Sequence, residues 1–210
     1  MTAVARRRTQ EERSAATRTR LLDATLECLA ELGYARTTTT EIAERGGVSR
    51  GAQLHHFPTK AELVIEAVAY LFDRRDEEFR AAFAKLPADA NRGAGAVDIL
   101  WSMVSGPTFH AWLELAVAAR TDPLLRPKVT ELTTRFSENV RRTFGELFPR
   151  PAGGSPYWDL APSFTFALLE GLALDAMVTP ESNDIDRVLD IWRNVARLVM
   201  SGAPGVSHGS

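Results

Sequence analysis

The stretch that decides the fold runs from Thr37 to Lys60 and reads TTTTEIAERGGVSRGAQLHHFPTK. Thr38 followed by Glu41 fits a capping box, which satisfies the unpaired amides at the start of a helix. Gly46 and Gly47 then interrupt the pattern, because glycine accepts the left-handed backbone that a tight turn needs. The stretch therefore predicts a short helix that ends in a glycine turn.

A second short helix is expected directly after this turn, from Arg50 to about His56. Ser49 can cap its start, and Pro58 ends it, because the residue before a proline avoids the helical conformation. Thr59 and Glu62 form another capping box at the start of the next helix. Two short helices joined by a glycine turn predict a helix-turn-helix, whose second helix enters the DNA major groove.

The same stretch carries a more specific pattern, T-T-x-x-x-I-A-x-x-x-G-V-S-x-G-x-x-x-x-H-F-x-x-K-x-x-L. This pattern resembles the DNA-binding domain of the tetracycline-repressor (TetR) family. One departure is that the chain has Gln53-Leu54 where the family usually has Leu-Tyr, a tyrosine that often contacts a phosphate. The twelve matching residues are Thr37, Thr38, Ile42, Ala43, Gly47, Val48, Ser49, Gly51, His56, Phe57, Lys60 and Leu63.

Composition places the chain among ordered proteins. Its 210 residues could form one or two domains, and a hydrophobic content of 45% is enough to bury a core. A single cysteine, Cys28, excludes an internal disulfide framework and fits a reducing cytosol, so we expect a cytoplasmic protein. The most apolar segment, residues 161–178, is interrupted by Glu170 and Asp175, so we expect no membrane span.

The charges are unevenly distributed along the chain. Residues 1–60 hold ten Lys and Arg against seven Asp and Glu, whereas the remaining 150 hold fifteen against twenty. A basic head on an acidic body suits a small DNA-binding domain carried by a non-DNA domain. Together with the resemblance, this implies a DNA-binding domain at 1–60, a helical ligand-binding and dimerisation domain at 61–202 and a disordered tail at 203–210. The arginine-rich residues 1–12 form either a solvated arm or one that contacts phosphates or the minor groove.

Helical periodicity and breaker residues predict an all-α chain of about nine helices and no strands. The first five helices are expected to end at Gly33, the glycine turn, Pro58, Pro87 and Gly106-Pro107. Asp184 is expected to cap the last helix. Loops are expected at 88–95 and 149–156. The predicted helices run over about 13–32, 38–45, 50–56, 60–85, 97–104, 108–119, 124–147, 157–178 and 185–200.

Candidate DNA contacts lie on and around the second short helix. Arg50 can donate two hydrogen bonds to guanine or pair with a phosphate, and Gln53 can pair with adenine, contacts worth roughly 1–3 kcal/mol of discrimination. Leu54 either touches a thymine methyl or packs inward, and the open alternative for Arg50 and Gln53 is plain solvated surface. The phosphate-contact candidates are Thr38, Thr40, Ser49, His55, His56 and Lys60. Adjacent histidines lack the spacing of a helical zinc site, so no metal or cofactor is expected.

The resemblance also implies functions for the body of the chain. TetR-like proteins pair through their last two helices, and here the interface candidates are Leu169, Leu172, Met177, Val188, Ile191, Trp192, Val195 and Val199. The family's ligand pocket implies a second set, each of which has plain core packing as its alternative. This set comprises Trp101, Met103, Phe109, His110, Leu113, Glu114, Val117, Phe164, Leu168 and Gly171. His110 and Glu114 are four residues apart, so they can hydrogen-bond on one helix face.

We therefore expect a homodimeric transcriptional regulator that acts as a repressor. It is expected to bind an inverted repeat in double-stranded DNA and to respond to a small-molecule inducer. One alternative is a protein of the same fold that acts without an inducer, for example in chromosome organisation. Another is an α-helical enzyme. The run from Gly47 to Gly51 matches G-x-S-x-G, but a nucleophile elbow needs a strand before it, and a capped helix is expected there. We therefore expect no enzyme.

Overall fold

The computed structural model describes residues 9–87, 91–150, 157–179, 181 and 183–200. Within these ranges the chain is all-α, as predicted, with one short 3-10 helix at Trp158–Leu160 and no strand. The nine α-helices are α1 (Gln10–Arg36), α2 (Thr39–Arg45), α3 (Arg50–His56), α4 (Lys60–Ala84), α5 (Arg92–Val104), α6 (Pro107–Thr121), α7 (Leu125–Leu147), α8 (Ala161–Val178) and α9 (Asn183–Met200).

The helices form two compact units. The first unit comprises Met1–Leu71 and His110–Thr130, and the second comprises Phe72–Phe109 and Glu131–Ser210. The first unit therefore holds the helix-turn-helix together with the first half of α4 and most of α6. The division of the chain into domains at residue 60 remains a prediction.

Helix α1 begins three residues earlier than predicted. Thr9 and Glu12 form a full capping box: the Thr9 amide donates to Glu12 Oε2 over 2.8 Å, and the Glu12 amide donates to Thr9 Oγ1 over 3.1 Å. The end of the predicted arm is thus the first turn of α1, while residues 1–8 lie outside the described residues. Gly33 interrupts α1 with a φ of 74°, as its predicted role as a stop requires.

The helix-turn-helix forms from the predicted caps. Thr38 Oγ1 accepts a hydrogen bond from the Glu41 amide over 3.1 Å, and Ser49 Oγ accepts one from the Ala52 amide over 3.2 Å. Between the two helices, Gly47 has a φ of 59°, a conformation that costs a residue with a Cβ free energy. The cap and turn chemistry therefore sets both helix starts and the angle between them.

The first unit has an apolar core to which α1, α2 and α4 contribute. Leu21, Leu29, Ile42 and Leu63 are fully buried, and burying such a side chain contributes about 1.5–3 kcal/mol. Phe57 and Cys28 are also buried, so both belong to this core.

Helix α5 begins at Arg92, five residues earlier than predicted. Asn91 caps it by accepting a hydrogen bond from the Ala94 amide at Oδ1 over 2.9 Å. The predicted loop over 88–95 is therefore wrong from residue 92 onward, because two glycines there lie inside a helix; residues 88–90 lie outside the described residues. Glycine is used for packing here, not for a turn.

Helix α9 also begins earlier than predicted, at Asn183. Asp184 lies inside its first turn and pairs with Arg187 over 2.9 Å, so its prediction as the cap was wrong. Residues 151–156 of the predicted loop and the tail from residue 201 lie outside the described residues.

The second unit has a cluster of aromatic side chains from three segments: α4, the end of α7 and the 3-10 helix. The Phe83 and Phe148 rings lie 5.1 Å apart edge to face, and Phe144 lies 5.5 Å from Trp158. In the same unit, α5 packs closely on α9: a Cβ at Gly93 would lie 2.8 Å from the Ala196 carbonyl oxygen. Helix α9 can approach α5 this closely only because residue 93 has no side chain.

Gly93→Ala is expected to lower the free energy of unfolding by about 1–3 kcal/mol, because the added methyl group would press on the α9 backbone. Gly145→Ala is the matched control, since Gly145 is also helical but has open space around its Cβ position. The control is expected to be stabilising by about 0.5–1 kcal/mol through helix propensity. Urea unfolding at one fixed protein concentration measures both. Equal effects of the two substitutions would contradict the close approach.

Candidate nucleic-acid interface

The starts of α2 and α3 bring a guanidinium group and a hydroxyl group together. Arg50 is exposed at the first position of α3, and its Nη1 donates to Thr40 Oγ1 over 3.1 Å. Ser49 and Thr38 cap these helices, so their hydroxyls are already occupied as acceptors. The arrangement presents the remaining guanidinium donors of Arg50 at the end of a helix that the fold holds rigidly. Such donors match guanine O6 and N7 or a phosphate.

Gln53 is not part of this exposed face, so its prediction as a base contact was wrong. Its side chain is fully buried, and its Nε2 donates to the Phe57 carbonyl oxygen over 2.7 Å. Its Oε1 is buried without a hydrogen-bond partner among the residues that the structure describes. The family's leucine at this position is the sequence signal that could have identified an inward-facing site.

The other residues of α3 divide between surface and support. Leu54 is 46% exposed, which fits contact with a thymine methyl better than inward packing. His55 is exposed and His56 is half-buried. Burial, then the neighbouring His55 and Arg18, lowers the pKa of His56, so its imidazole is neutral at pH 7. A neutral imidazole can still donate one hydrogen bond to a phosphate.

Lys60 lies at the start of α4 but is folded back onto α1. Its Nζ donates to the Tyr34 carbonyl oxygen over 2.5 Å and lies 4.1 Å from the centre of the Tyr34 ring. Burial lowers the pKa of Lys60, and burial followed by the charge of Asp122 raises the pKa of Tyr34. An ammonium group has three N–H donors. A phosphate contact from Lys60 therefore remains a prediction, with a structural role alongside it.

Arg20 on α1 supports the turn, which the sequence analysis missed. Its Nη1 donates to the Gly47 carbonyl oxygen over 3.2 Å, and its Nη2 donates to Thr17 Oγ1 over 3.3 Å. The contact joins residues 27 positions apart, so no local pattern indicates it. Arg20 holds the carbonyl of the residue that has the left-handed backbone.

The dimer candidates divide into buried and exposed residues. Leu169 and Leu172 are buried within the chain, so their prediction as partner contacts was wrong: they form part of its own core. Val188, Trp192 and Val195 are half-buried. Met177, Ile191 and Val199 are exposed, and so are Leu160, Phe164, Leu174, Val178 and Leu198 on the same three helical segments.

The 3-10 helix and α8 together form a run, Trp158–Val178, that is long and apolar enough to cross a membrane by length and composition. The sequence predicts no membrane span here, because Glu170 and Asp175 interrupt the apolar run.

The predicted pocket residues do not form one enclosed group within either unit. In the second unit Phe109 is buried and Trp101, Met103 and Leu168 are half-buried, whereas Phe164 and Gly171 are exposed. In the first unit His110 and Leu113 are half-buried and Val117 is exposed. Glu114 does not pair with His110 as predicted: its Oε2 accepts a hydrogen bond from the Tyr34 amide over 2.8 Å.

The G-x-S-x-G run is not a nucleophile elbow. A helix, α2, precedes it, and Ser49 Oγ caps α3. Among the described residues no group of three or more His, Cys, Asp and Glu side chains is arranged to hold a metal ion.

Comparisons with known proteins agree with this geometry. The family model described as "Bacterial regulatory proteins, tetR family" matches residues 21–67. The chain is 32% identical to the HTH-type transcriptional regulator CymR of Pseudomonas putida over 193 residues, which cover 91% of this chain and 95% of the relative.

Solved structures share the whole fold. A transcriptional regulator from Rhodococcus sp. Rha1 superimposes with a TM-score of 0.67 at 26% identity, over 90% of this chain and 98% of that one. A protein from Saccharomonospora viridis, crystallised in complex with choline, gives 0.64 at 17% identity, over 86% and 95%. At that identity, the second likeness shows the fold alone.

Arg50→Ala and Gln53→Leu are expected to differ sharply in DNA affinity. Losing the Arg50 donors is expected to cost about 1–3 kcal/mol of binding, which is about 5- to 150-fold in affinity. Gln53→Leu leaves the exposed face intact, so its affinity is expected to stay close to that of the wild type. Fluorescence anisotropy on a duplex that the wild-type protein binds measures both, at one stated salt concentration. A loss with Gln53→Leu as large as with Arg50→Ala would contradict the assignment of these two side chains.

Proposed function

Because the chain belongs to the TetR family of regulatory proteins, it is a helix-turn-helix DNA-binding transcriptional regulator and not an enzyme, and we propose that it is a dimeric repressor. In this proposal two copies bind an inverted repeat in the cytoplasm, and a small-molecule ligand releases them. The observation that carries the proposal is the exposed apolar surface of the segments Leu160–Val178 and Ile191–Val199.

The exposed apolar side chains of this surface favour a second copy of the chain as its binding partner. Eight of the twelve large hydrophobic side chains that are exposed in the described residues belong to it: Leu160, Phe164, Leu174, Met177, Val178, Ile191, Leu198 and Val199. Single exposed apolar residues are normal, but here they gather on α8 and on the two segments that contact it, which favours an interaction site. Ile191 and Leu198 are seven residues apart, two turns along one face of α9.

A dimer would also increase the number of DNA contacts, which a single DNA-binding head limits. One helix-turn-helix presents few side chains to the bases, and α3 here has only seven residues. Two heads at a fixed separation read two half-sites, so the symmetry of the protein is matched by an inverted repeat. Arg50 and Leu54 would then contact bases in each half-site, with Thr40, His55 and Lys60 on the phosphates.

Ligand release is supported by the fold rather than by an identified pocket. The Saccharomonospora viridis protein of the same fold was crystallised with choline. A ligand shifts DNA binding only as far as it prefers one of two states of the protein, and a change from 1:99 to 99:1 needs a preference of about 10⁴-fold. The alternative function, DNA binding without an inducer in chromosome organisation, predicts no such preference for any small molecule.

Ile191→Glu is expected to weaken self-association by at least about tenfold, because a carboxylate at the centre of an apolar interface loses its hydration. Leu124→Glu is the matched control. Leu124 is 80% exposed against 62% for Ile191, but it lies on the turn before α7 and outside the proposed surface. Sedimentation equilibrium measures the dissociation constant, and DNA affinity is expected to fall with it. A monomeric wild-type protein, or equal effects of the two substitutions, would overturn the proposed dimer.

Small molecules are expected to dissociate the protein from its DNA. The test adds a panel of metabolites that includes choline to the protein–duplex complex and follows fluorescence anisotropy. Release by one compound, with no release of the same duplex from an unrelated DNA-binding protein, supports the inducible regulator. Many weak DNA sites and no response to any compound would favour the alternative without an inducer.

A further inference from the structure

The break in α1 at Gly33 is held by side chains from distant parts of the first unit. The Gly33 carbonyl oxygen accepts hydrogen bonds from the Thr37 amide over 3.1 Å and from Thr37 Oγ1 over 2.8 Å. The next peptide groups use long-range partners. The Tyr34 amide donates to Glu114 on α6, and the Tyr34 carbonyl accepts from Lys60 on α4.

The Glu114 carboxylate lies close to the break at residue 33. A Cβ there would lie 2.8 Å from Glu114 Oε2 and 3.2 Å from its carboxyl carbon. The φ of 74° at Gly33 independently disfavours any side chain. The backbone conformation therefore favours glycine, and a side chain at residue 33 would also displace the Glu114 carboxylate from its present position.

This contact acts on the segment that leads into the helix-turn-helix. Tyr34 is separated from the α2 cap, Thr38, by three residues, and Thr37 in between is buried. Helix α2 is in turn joined to α3 by the short turn at Gly47, whose φ is 59°. A shift of the Tyr34 peptide would therefore move the start of α2 and, with it, the exposed Arg50.

The acceptor that α6 contributes at the break is a carboxylate. A carboxylate that accepts from a backbone N–H makes a stronger bond than a neutral acceptor. Removing it would leave a part-buried amide without its partner, which costs more than the bond itself contributes. Its predicted partner His110 is not involved, so the Glu114 carboxylate is committed to the break.

We propose that Glu114 is a positioning residue for DNA recognition, which fixes the start of the helix-turn-helix against α6. Glu114 and Tyr34 both lie in the first unit, and their bond joins α6 to the segment that leads into α2. This proposal rests on DNA binding by the family and, for its consequence on half-site spacing, on the proposed dimer.

The test compares Glu114→Ala, which removes the acceptor, with Glu114→Gln, which keeps a neutral one. Val117→Ala is the control on the same helix, because Val117 is exposed. Circular dichroism first establishes that each variant is helical. Hydrogen exchange then follows the Tyr34 amide, with the Thr37 amide, bonded to Gly33, as the internal reference. Glu114→Ala is expected to speed Tyr34 exchange by about tenfold relative to Thr37, and Glu114→Gln by less.

DNA binding then distinguishes positioning from plain stability. Each variant is titrated onto duplexes whose two half-sites are separated by the preferred spacer or by one base pair more or less. Glu114→Ala is expected to lower the preference for the correct spacer by about threefold or more, with partial recovery in Glu114→Gln. Equal weakening on all spacers, or unchanged Tyr34 exchange, would overturn the proposal.

The dimer proposal fails separately, through a wild-type protein that binds as one protomer and shows no spacer preference. In that case the affinity for a single half-site replaces the spacer series. Glu114→Ala is then expected to weaken it by about tenfold while the affinity for unrelated duplex stays the same. An unchanged ratio of specific to unrelated binding would overturn the positioning role.

Discussion

The left-handed backbone at Gly47 is the constraint on which the DNA-binding head depends. With a φ of 59°, it lets α3 begin after only the four residues 46–49 that follow α2, and Arg20 holds its carbonyl from α1. Ile42 and Phe57 are buried on either side of the turn, so the core fixes where both helices lie. The result is a short helix, α3, with an exposed arginine, Arg50, at its first position. Core packing and the helix caps set the direction in which this arginine points.

Most of this head could be predicted because its signals are local. Thr38, Ser49 and Thr59 cap helices through amides three residues away, so the sequence contains both partners of each bond. Gln53 could not be placed from its chemistry, because an amide side chain suits adenine and a buried backbone carbonyl equally well. Its position on α3, where the family has leucine, decided the outcome. The contacts of Arg20 and Glu114 span 27 and 80 residues, and no short pattern contains such pairs.

The second unit shows the opposite balance. Periodicity predicted that its helices exist, but close packing decided where they begin and which faces are covered. Gly93 and Gly95 were expected in a loop, yet Gly93 is inside α5 where α9 comes closest, and the two residues in contact are 103 positions apart. In the same way, apolar periodicity along α8 could not separate the buried Leu169 from the exposed Met177. Both kinds of residue look alike in the sequence, and only the packing of neighbouring helices distinguishes the core from the proposed dimer surface.

The central claim, a dimer that reads DNA sequence with two identical heads, is tested most directly by selection. The purified protein is mixed with a library of random duplex DNA, and the retained molecules are sequenced. The account predicts one inverted repeat with a fixed spacer between its half-sites. Retention of duplexes that share no motif would contradict a dimeric sequence reader and would favour a protein that binds DNA through its backbone alone.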